Sequence, residues 1–253
     1  MFRGIAGAIL NAFAYLLHPR VLWLMVWPVL VSLVAWGLVA IFLWTKAALW
    51  LGGVLKRWVE TAVFFVTIDF STGSLVAAHV ILFLLFVPLV YLTALFILGV
   101  FGMDELVDIV GRRRFPALRR REGGTLAGSA WNGVVAVGGM AGLFVLSIPL
   151  WVFPPLWPVI PVAVMGWVNQ RVLRYDALAR HAHPDEMRRI FAARGRSLYA
   201  LGVVLALLAY VPLVGFLAPV LFGLVFIHFL LAELQALRDA PIEGVVVSKE
   251  LEA

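Results

Sequence analysis

Residues 125–170 read TLAGSAWNGVVAVGGMAGLFVLSIPLWVFPPLWPVIPVAVMGWVNQ, 46 positions without one Asp, Glu, Lys or Arg. A helix rises about 1.5 Å per residue and a hydrocarbon core is about 30 Å thick, so a single crossing uses roughly 20 apolar residues. The stretch is long enough for two passes. Pro149, Pro154, Pro155, Pro158 and Pro161 fall near its middle, and proline removes a backbone donor and breaks a helix. The reading is a helical hairpin that enters the membrane, breaks around Pro154 and Pro155, and returns.

Three further charge-free stretches extend this pattern: residues 21–43, 74–103 and 197–232. The first two, of 23 and 30 residues, each provide one crossing. The last offers only about 18 residues per arm before a turn is subtracted. It reads as a second hairpin, broken by Pro212, Gly215 and Pro219 and stopping part-way through the bilayer. The expected fold class is therefore an all-α integral membrane protein with two long transmembrane helices and two proline-broken hairpins. Residues 1–237 form a single membrane domain, and 238–253, with Pro241, Gly244 and mixed charge, form a flexible tail.

Composition agrees. Hydrophobic residues make up 64% of the 253 and charged residues 13%, with a mean hydropathy of +1.03, outside the range of water-soluble domains. There is no cysteine, which excludes disulfides, thiolate metal sites and cysteine nucleophiles. Trp23, Trp27, Trp44, Trp50, Trp58, Trp151, Trp157 and Trp167 sit near ends or proline breaks of the apolar runs, where amphipathic rings favour the headgroup level. Phe2, Ile5, Ile9, Phe13, Leu16 and Leu17 recur at helical spacing, apart from Arg3, Asn11 and His18, so an amphipathic N-terminal helix is expected in the interface. No small-residue cleavage site precedes a polar domain, and this segment is expected to stay. A second interfacial helix is expected around Ala47 to Phe65.

Orientation follows from arginine. Arg112, Arg113, Arg114, Arg119, Arg120 and Arg121 follow the second span; Arg171, Arg174, Arg180, Arg188, Arg189, Arg194 and Arg196 follow the third apolar stretch. The loop from Trp44 to Gly73 is nearly balanced, with Lys46, Lys56 and Arg57 against Glu60 and Asp69. The positive-inside rule then places both termini and both arginine groups in the cytoplasm. Membrane orientation accounts for the pI near 10.2, and no nucleic-acid partner is expected.

Few residues offer covalent chemistry. GxSxG, HExxH, the P-loop and GxGxxG are all missing, so the chain reads as no enzyme, without cofactor or metal. Asp104, Glu105 and Asp108 are expected to pair with the arginines that follow them rather than hold a cation. His181 and His183 lack a third ligand at suitable spacing. His79 and His228 lie within apolar stretches, where a functional role or a neutral imidazole bonded to a backbone carbonyl are the alternatives. Gly138 and Gly142 form a GxxxG, and Ser129 with Gly133 a second small pair, the pattern of close helix packing within or between protomers. For function, arginines beside broken helix ends suit tetrahedral oxyanions, because guanidinium forks bind them bidentately and helix N-termini add backbone donors. Arg20, Arg112, Arg113 and Arg174 are the candidates.

Three segments together resemble the CysZ family of bacterial sulfate permeases, which shares a domain with etoposide-induced protein 2.4. They are HPRVLWLMVWPVLVSLVAWG at 18–37 with Pro19 and Pro28, YDALARHAHPDEMRRIFAARGRSLYALG at 175–202 with Tyr175 and Asp176, and YVPLVGFLAPVLFGLVF at 210–226 with Pro212 and Pro219. The resemblance implies a multi-pass inner-membrane protein, assembled as a homo-oligomer, that brings sulfate into the cytoplasm for cysteine synthesis. One departure stands out. The family's Gly-x-Arg-Arg element follows the proline equivalent to Pro19, where this chain has Arg20, Val21, Leu22 and Trp23. Two function classes follow: an anion permease using Arg20 and the cytoplasmic arginines, or a non-transporting membrane scaffold or stress-related protein of the same fold.

Overall fold

The computed structural model describes residues 2–62, 71–121 and 123–239 and resolves into two compact units, residues 22–100 and residues 1–21 with 101–253. Seven α-helices carry the described chain: α1 (Phe2–Leu16), α2 (Pro19–Ala62), α3 (Ser71–Arg114), α4 (Leu126–Ser147), α5 (Val159–Leu178), α6 (Pro184–Leu208) and α7 (Pro212–Asp239). Five of them are long and apolar enough to cross a membrane. The protein is an all-α, multi-pass membrane protein.

The unit of residues 22–100 contains most of α2 and α3. Both helices run 44 residues, more than twice what a crossing needs, and both continue past an internal proline, Pro28 or Pro88. A separate helix expected over 47–65 is not found, because α2 continues unbroken to Ala62. Residues 44–62 contain no proline, and Lys56 pairs with Glu60 one turn on, at 3.7 Å, which supports continuation. Phe65 lies outside the described residues. Large side chains join the two helices. The Trp36 indole N–H donates to Thr93 Oγ1 at 2.9 Å, and a Cβ on Gly52 would stand 3.3 Å from the Leu75 backbone.

In the other unit, α7 is the centre. Every residue from Val220 to Leu231 is buried, and α1, α5 and α6 pack against this helix. The expected N-terminal helix is present, and its buried positions Ile5, Ala8, Ala12 and Leu16 follow helical spacing. Its partner among the described residues is α7. Gly4 faces the Phe229 ring, and Tyr15 meets the His228 ring edge-on at 4.7 Å.

Both hairpins form. Thr125 caps α4 by accepting from the Gly128 N–H at 3.0 Å. The helix then gives way to two 3-10 turns, Ile148–Val152 and Pro154–Leu156, so Pro154 and Pro155 occupy the expected break. Non-helical backbone at membrane depth needs its polar groups satisfied. Here Trp157 donates its indole N–H to the Trp151 carbonyl at 2.8 Å, and Trp151 donates to Ser147 Oγ at 3.1 Å. The second turn is tighter and lies earlier than the sequence suggested. It occupies residues 209–211, with Pro212 as the first residue of α7, where its missing N–H costs nothing. Gly215 and Pro219 lie inside α7 instead of at the break. Gly215 serves the turn through its lack of a side chain, since a Cβ there would stand 2.4 Å from the Ala209 carbonyl oxygen. Pro219 leaves the carbonyl of Gly215, four residues earlier, without its helical donor, and neighbouring helices allow the helix to continue.

The charge-free inner arms of the hairpins, residues 159–170 of α5 and 197–208 of α6, each extend about 18 Å. They pack almost backbone to backbone. A Cβ on Gly202 would stand 2.2 Å from the Gly166 oxygen, and one on Gly166 would stand 2.5 Å from the Val203 side chain. In α4, a Cβ on Gly139 would collide with the Trp167 ring, so packing requires glycine there. Nothing lies within 4 Å of a Cβ on Gly133, Gly138 or Gly142, so the GxxxG does not close on another helix among the described residues. The expected tail begins two residues late, because α7 includes Arg238 and Asp239. The rest of it lies outside the described residues.

This packing sets a stability contrast. Overfilling a packed interface costs about 1–3 kcal/mol or more, so Gly166→Leu and Gly202→Leu are each expected to lower the melting temperature in detergent by several degrees, while Gly138→Leu leaves it unchanged. Thermal unfolding followed by tryptophan fluorescence checks all three.

Candidate functional site

The arginines divide into those committed to carboxylates and those left open. Asp104 and Asp108 lie one turn apart on α3, and Arg180, just past α5, bridges them at 2.7 and 3.5 Å. Asp108 also pairs with Arg120, and with Arg112 at 3.8 Å. Acid–arginine pairing was the expectation for this cluster and holds for both aspartates. Glu105 is exposed and takes no part in these pairs.

A second knot lies at the start of α6. Glu186 completes a capping box with His183, whose backbone N–H donates to it at 2.8 Å. Arg238 grips the same carboxylate with two nitrogens, both at 2.9 Å, and Arg121 adds a contact at 3.3 Å. Arg238 also donates to the carbonyls of His181 at 2.6 Å and Arg119 at 3.2 Å. The end of α7 is thereby tied to the α5–α6 connection. Sequence reasoning assigned Arg238 to the tail, although the box signature at 183–186 marked where a partner for Glu186 was needed. The two histidines expected as a possible pair part company. His181 is buried against Gly111, and His183 lies at the surface 3.4 Å from Asp185. Burial, then the charge of Arg120, Arg238 and Arg180, holds the His181 pKa below its ordinary 6.5 against the opposing Asp108.

Tyr175 and Asp176 join α5 to the start of α4. Ser129 donates to Asp176 at 2.8 Å, the Thr125 N–H donates to the Tyr175 hydroxyl at 3.4 Å, and Asn132 donates to the Arg171 carbonyl at 2.8 Å. Gly128 leaves the space that the Tyr175 hydroxyl fills. Burial raises the Asp176 pKa against the Ser129 hydrogen bond, and Asp104 raises it further. Just before them, Arg174 lies over the Phe191 ring at 4.6 Å and reaches Gln170 at 3.4 Å. Its pKa is lowered by burial and by Arg171, whose own Nε is buried without a partner among the described residues.

One open cationic site is the corner between α1 and α2. Pro19 has no N–H, so Arg20 supplies the first backbone donor of α2, and His18 Nδ1 accepts it at 3.2 Å. The His18 pKa is lowered by partial desolvation and by the charges of Arg113 and Arg20. Arg20 and Arg113 are exposed and form no ion pair among the described residues. Of the four sequence candidates, Arg20 opens α2 at this corner, Arg113 ends α3 and acts on His18 through its charge, Arg112 is drawn to Asp108, and Arg174 lies apart on α5. Pro154 and Pro155 mark one hairpin tip; Pro212 and Gly215 shape the other.

A family model described as Sulfate transporter CysZ/Etoposide-induced protein 2.4 matches residues 8–219, from α1 into α7. No curated protein and no solved structure matches the chain.

The His181 surroundings predict a pH response. With the folded pKa below 6.5, the unfolded chain binds more protons in that window, so stability is full above 6.5 and falls as the pH drops through the folded value. The melting temperature in detergent is expected to fall between about pH 7.5 and about pH 5.5, with a shallower slope in His181→Phe. An unchanged slope in that variant would remove His181 as the source.

Proposed function

The chain belongs to the sulfate transporter CysZ/etoposide-induced protein 2.4 family, and from that premise we propose an oxyanion permease of a bacterial inner membrane that captures sulfate at the α1–α2 corner. The observation carrying this reading is the contrast among arginines. Arg112, Arg120, Arg121, Arg180, Arg188, Arg194 and Arg238 each face a carboxylate, which leaves little of their field for a ligand. Arg20 keeps its own beside the N-terminus of a 44-residue helix, and Arg113 keeps its own at the end of α3. A doubly charged tetrahedral anion there gains charge-assisted hydrogen bonds from guanidinium groups and attraction from the helix end.

In this reading both termini and the arginine groups face the cytoplasm, the protein assembles from several copies, and the chain carries out no covalent step. Sulfate enters for cysteine synthesis. The half-buried pair Arg171 and Arg174 is a second cationic station on α5, and the hairpin tips supply the broken helix ends between which an anion moves. Titratable residues within the apolar stretches are few, His79 and His228, which favours passive flow over proton-coupled pumping.

One feature supports the alternative of a non-transporting scaffold. Arg20, Val21, Leu22 and Trp23 stand where the resemblance has its Gly-x-Arg-Arg element, and neither arginine of that pair has a match.

Labelled-sulfate uptake into proteoliposomes separates the two. Saturable uptake above empty vesicles is expected, reduced roughly tenfold or more by Arg20→Ala and by Arg113→Ala, each removing a charged hydrogen bond, and little changed by Arg112→Ala. Folded protein without uptake would sink the permease and leave the scaffold.

A further inference from the structure

In the unit of residues 22–100, the Trp36–Thr93 hydrogen bond and the Gly52–Leu75 contact fasten α2 to α3 at two levels. Between them the helices leave a groove of about 220 Å³, lined by apolar residues such as Ala40, Leu43 and Leu85, with Trp36 and Trp44 toward its two ends. The α2 lining recurs at helical spacing from Trp36 to Ala47, a length of about 16 Å along the helix. That is the scale of an acyl chain.

The groove is also placed and charged for a phospholipid. Its α2 side begins inside the charge-free stretch 21–43 and ends where that stretch meets Trp44 and Lys46, so it runs from the hydrocarbon to headgroup level. Lys46 stands seven residues after Val39 and three after Leu43, and both of those line the groove. The same helix face therefore carries an ammonium group to its mouth. Lys46 is exposed and has no ion pair among the described residues. Opposite, the His79 ring tilts against Trp44 at 6.4 Å and bonds the Leu75 carbonyl through Nδ1 at 2.9 Å. This pair walls the mouth. An apolar slot ending in a cation and an indole has the polarity of an anionic phospholipid.

We propose that this groove is a binding site for one anionic phospholipid, its acyl chain lying between α2 and α3 and its phosphate at Lys46. The site is distinct from the arginine corner, and its test does not depend on transport.

The test is native mass spectrometry of the full chain in mild detergent, given equal phosphatidylglycerol and phosphatidylcholine. The wild type is expected to retain a phospholipid and to prefer phosphatidylglycerol about fivefold, the attraction of one lysine for an anionic headgroup. Ala40→Trp fills the groove and is expected to lose the lipid, while Ile41→Trp, on the exposed side of the same turn, retains it. Lys46→Glu, a surface change that leaves the fold intact, is expected to keep a lipid and lose the preference. Equal retention by Ala40→Trp and wild type, or an undiminished preference in Lys46→Glu, would overturn the proposal. A lipid-free wild type whose oligomeric state changes with Ala40→Trp would also overturn it and assign the groove to a second copy of the chain.

Discussion

Everything in the unit that carries the arginine corner leans on the burial of α7. In lipid, helices gain nothing by hiding apolar surface from one another, and association rests on close packing and a few hydrogen bonds. The segment Val220–Leu231 is enclosed because its neighbours approach closely. Gly223 admits Met103 Sδ and Leu106 from α3, and Gly4 on α1 lies against Phe229. Because α1 is docked on α7, the turn after it is held in place, and with it His18, Arg20 and the first donors of α2. The arginines at the other end depend on the same helix, since Arg238 on its last turn holds Glu186 and two loop carbonyls. One buried rod thus positions both the open and the closed cationic sites.

Electrostatics then sorts a uniformly basic surface into parts with different capacities. An arginine shared between carboxylates and carbonyls acts as a cross-link, and its geometry is already committed. An arginine beside a helix N-terminus with no acid nearby keeps an unspent field. The net charge of +6 says nothing about this division. The placement of Asp104, Asp108, Asp185, Glu186 and Glu233 decides which guanidinium groups remain available, and Asp104 and Asp108 lie on the same helix as Arg112 and Arg113.

Spans, hairpins and the N-terminal helix were legible in the sequence because lipid imposes a length rule that charge-free runs reveal directly. The break around Pro154 and Pro155 was legible because several prolines crowd one place. The second turn was not. Pro212, Gly215 and Pro219 look alike as breakers in a string of letters, yet one opens a helix, one makes room for a carbonyl and one sits within the helix. That distinction depends on what stands opposite each residue. The same limit applies to the glycines, where the GxxxG at Gly138 and Gly142 meets nothing among the described residues and Gly139 between them meets Trp167. For the site, the residue types at Arg20 and Arg113 were visible, but that the charges of both act on His18, from positions more than 90 apart in sequence, was not. Arg238 was misplaced because charge beyond an apolar run looks like a tail until its partners are seen.

The paired inner arms of α5 and α6 have a consequence for the bilayer itself. Each arm is about 18 Å long against a hydrocarbon core of about 30 Å, and the Gly166–Gly202 contact clamps them side by side. Their outer partners α4 and α7, at 22 and 28 residues, are long enough for a full crossing. Each hairpin therefore pairs a charge-free arm shorter than the hydrocarbon core with one that matches or exceeds it, and the length mismatch falls on one side of each turn.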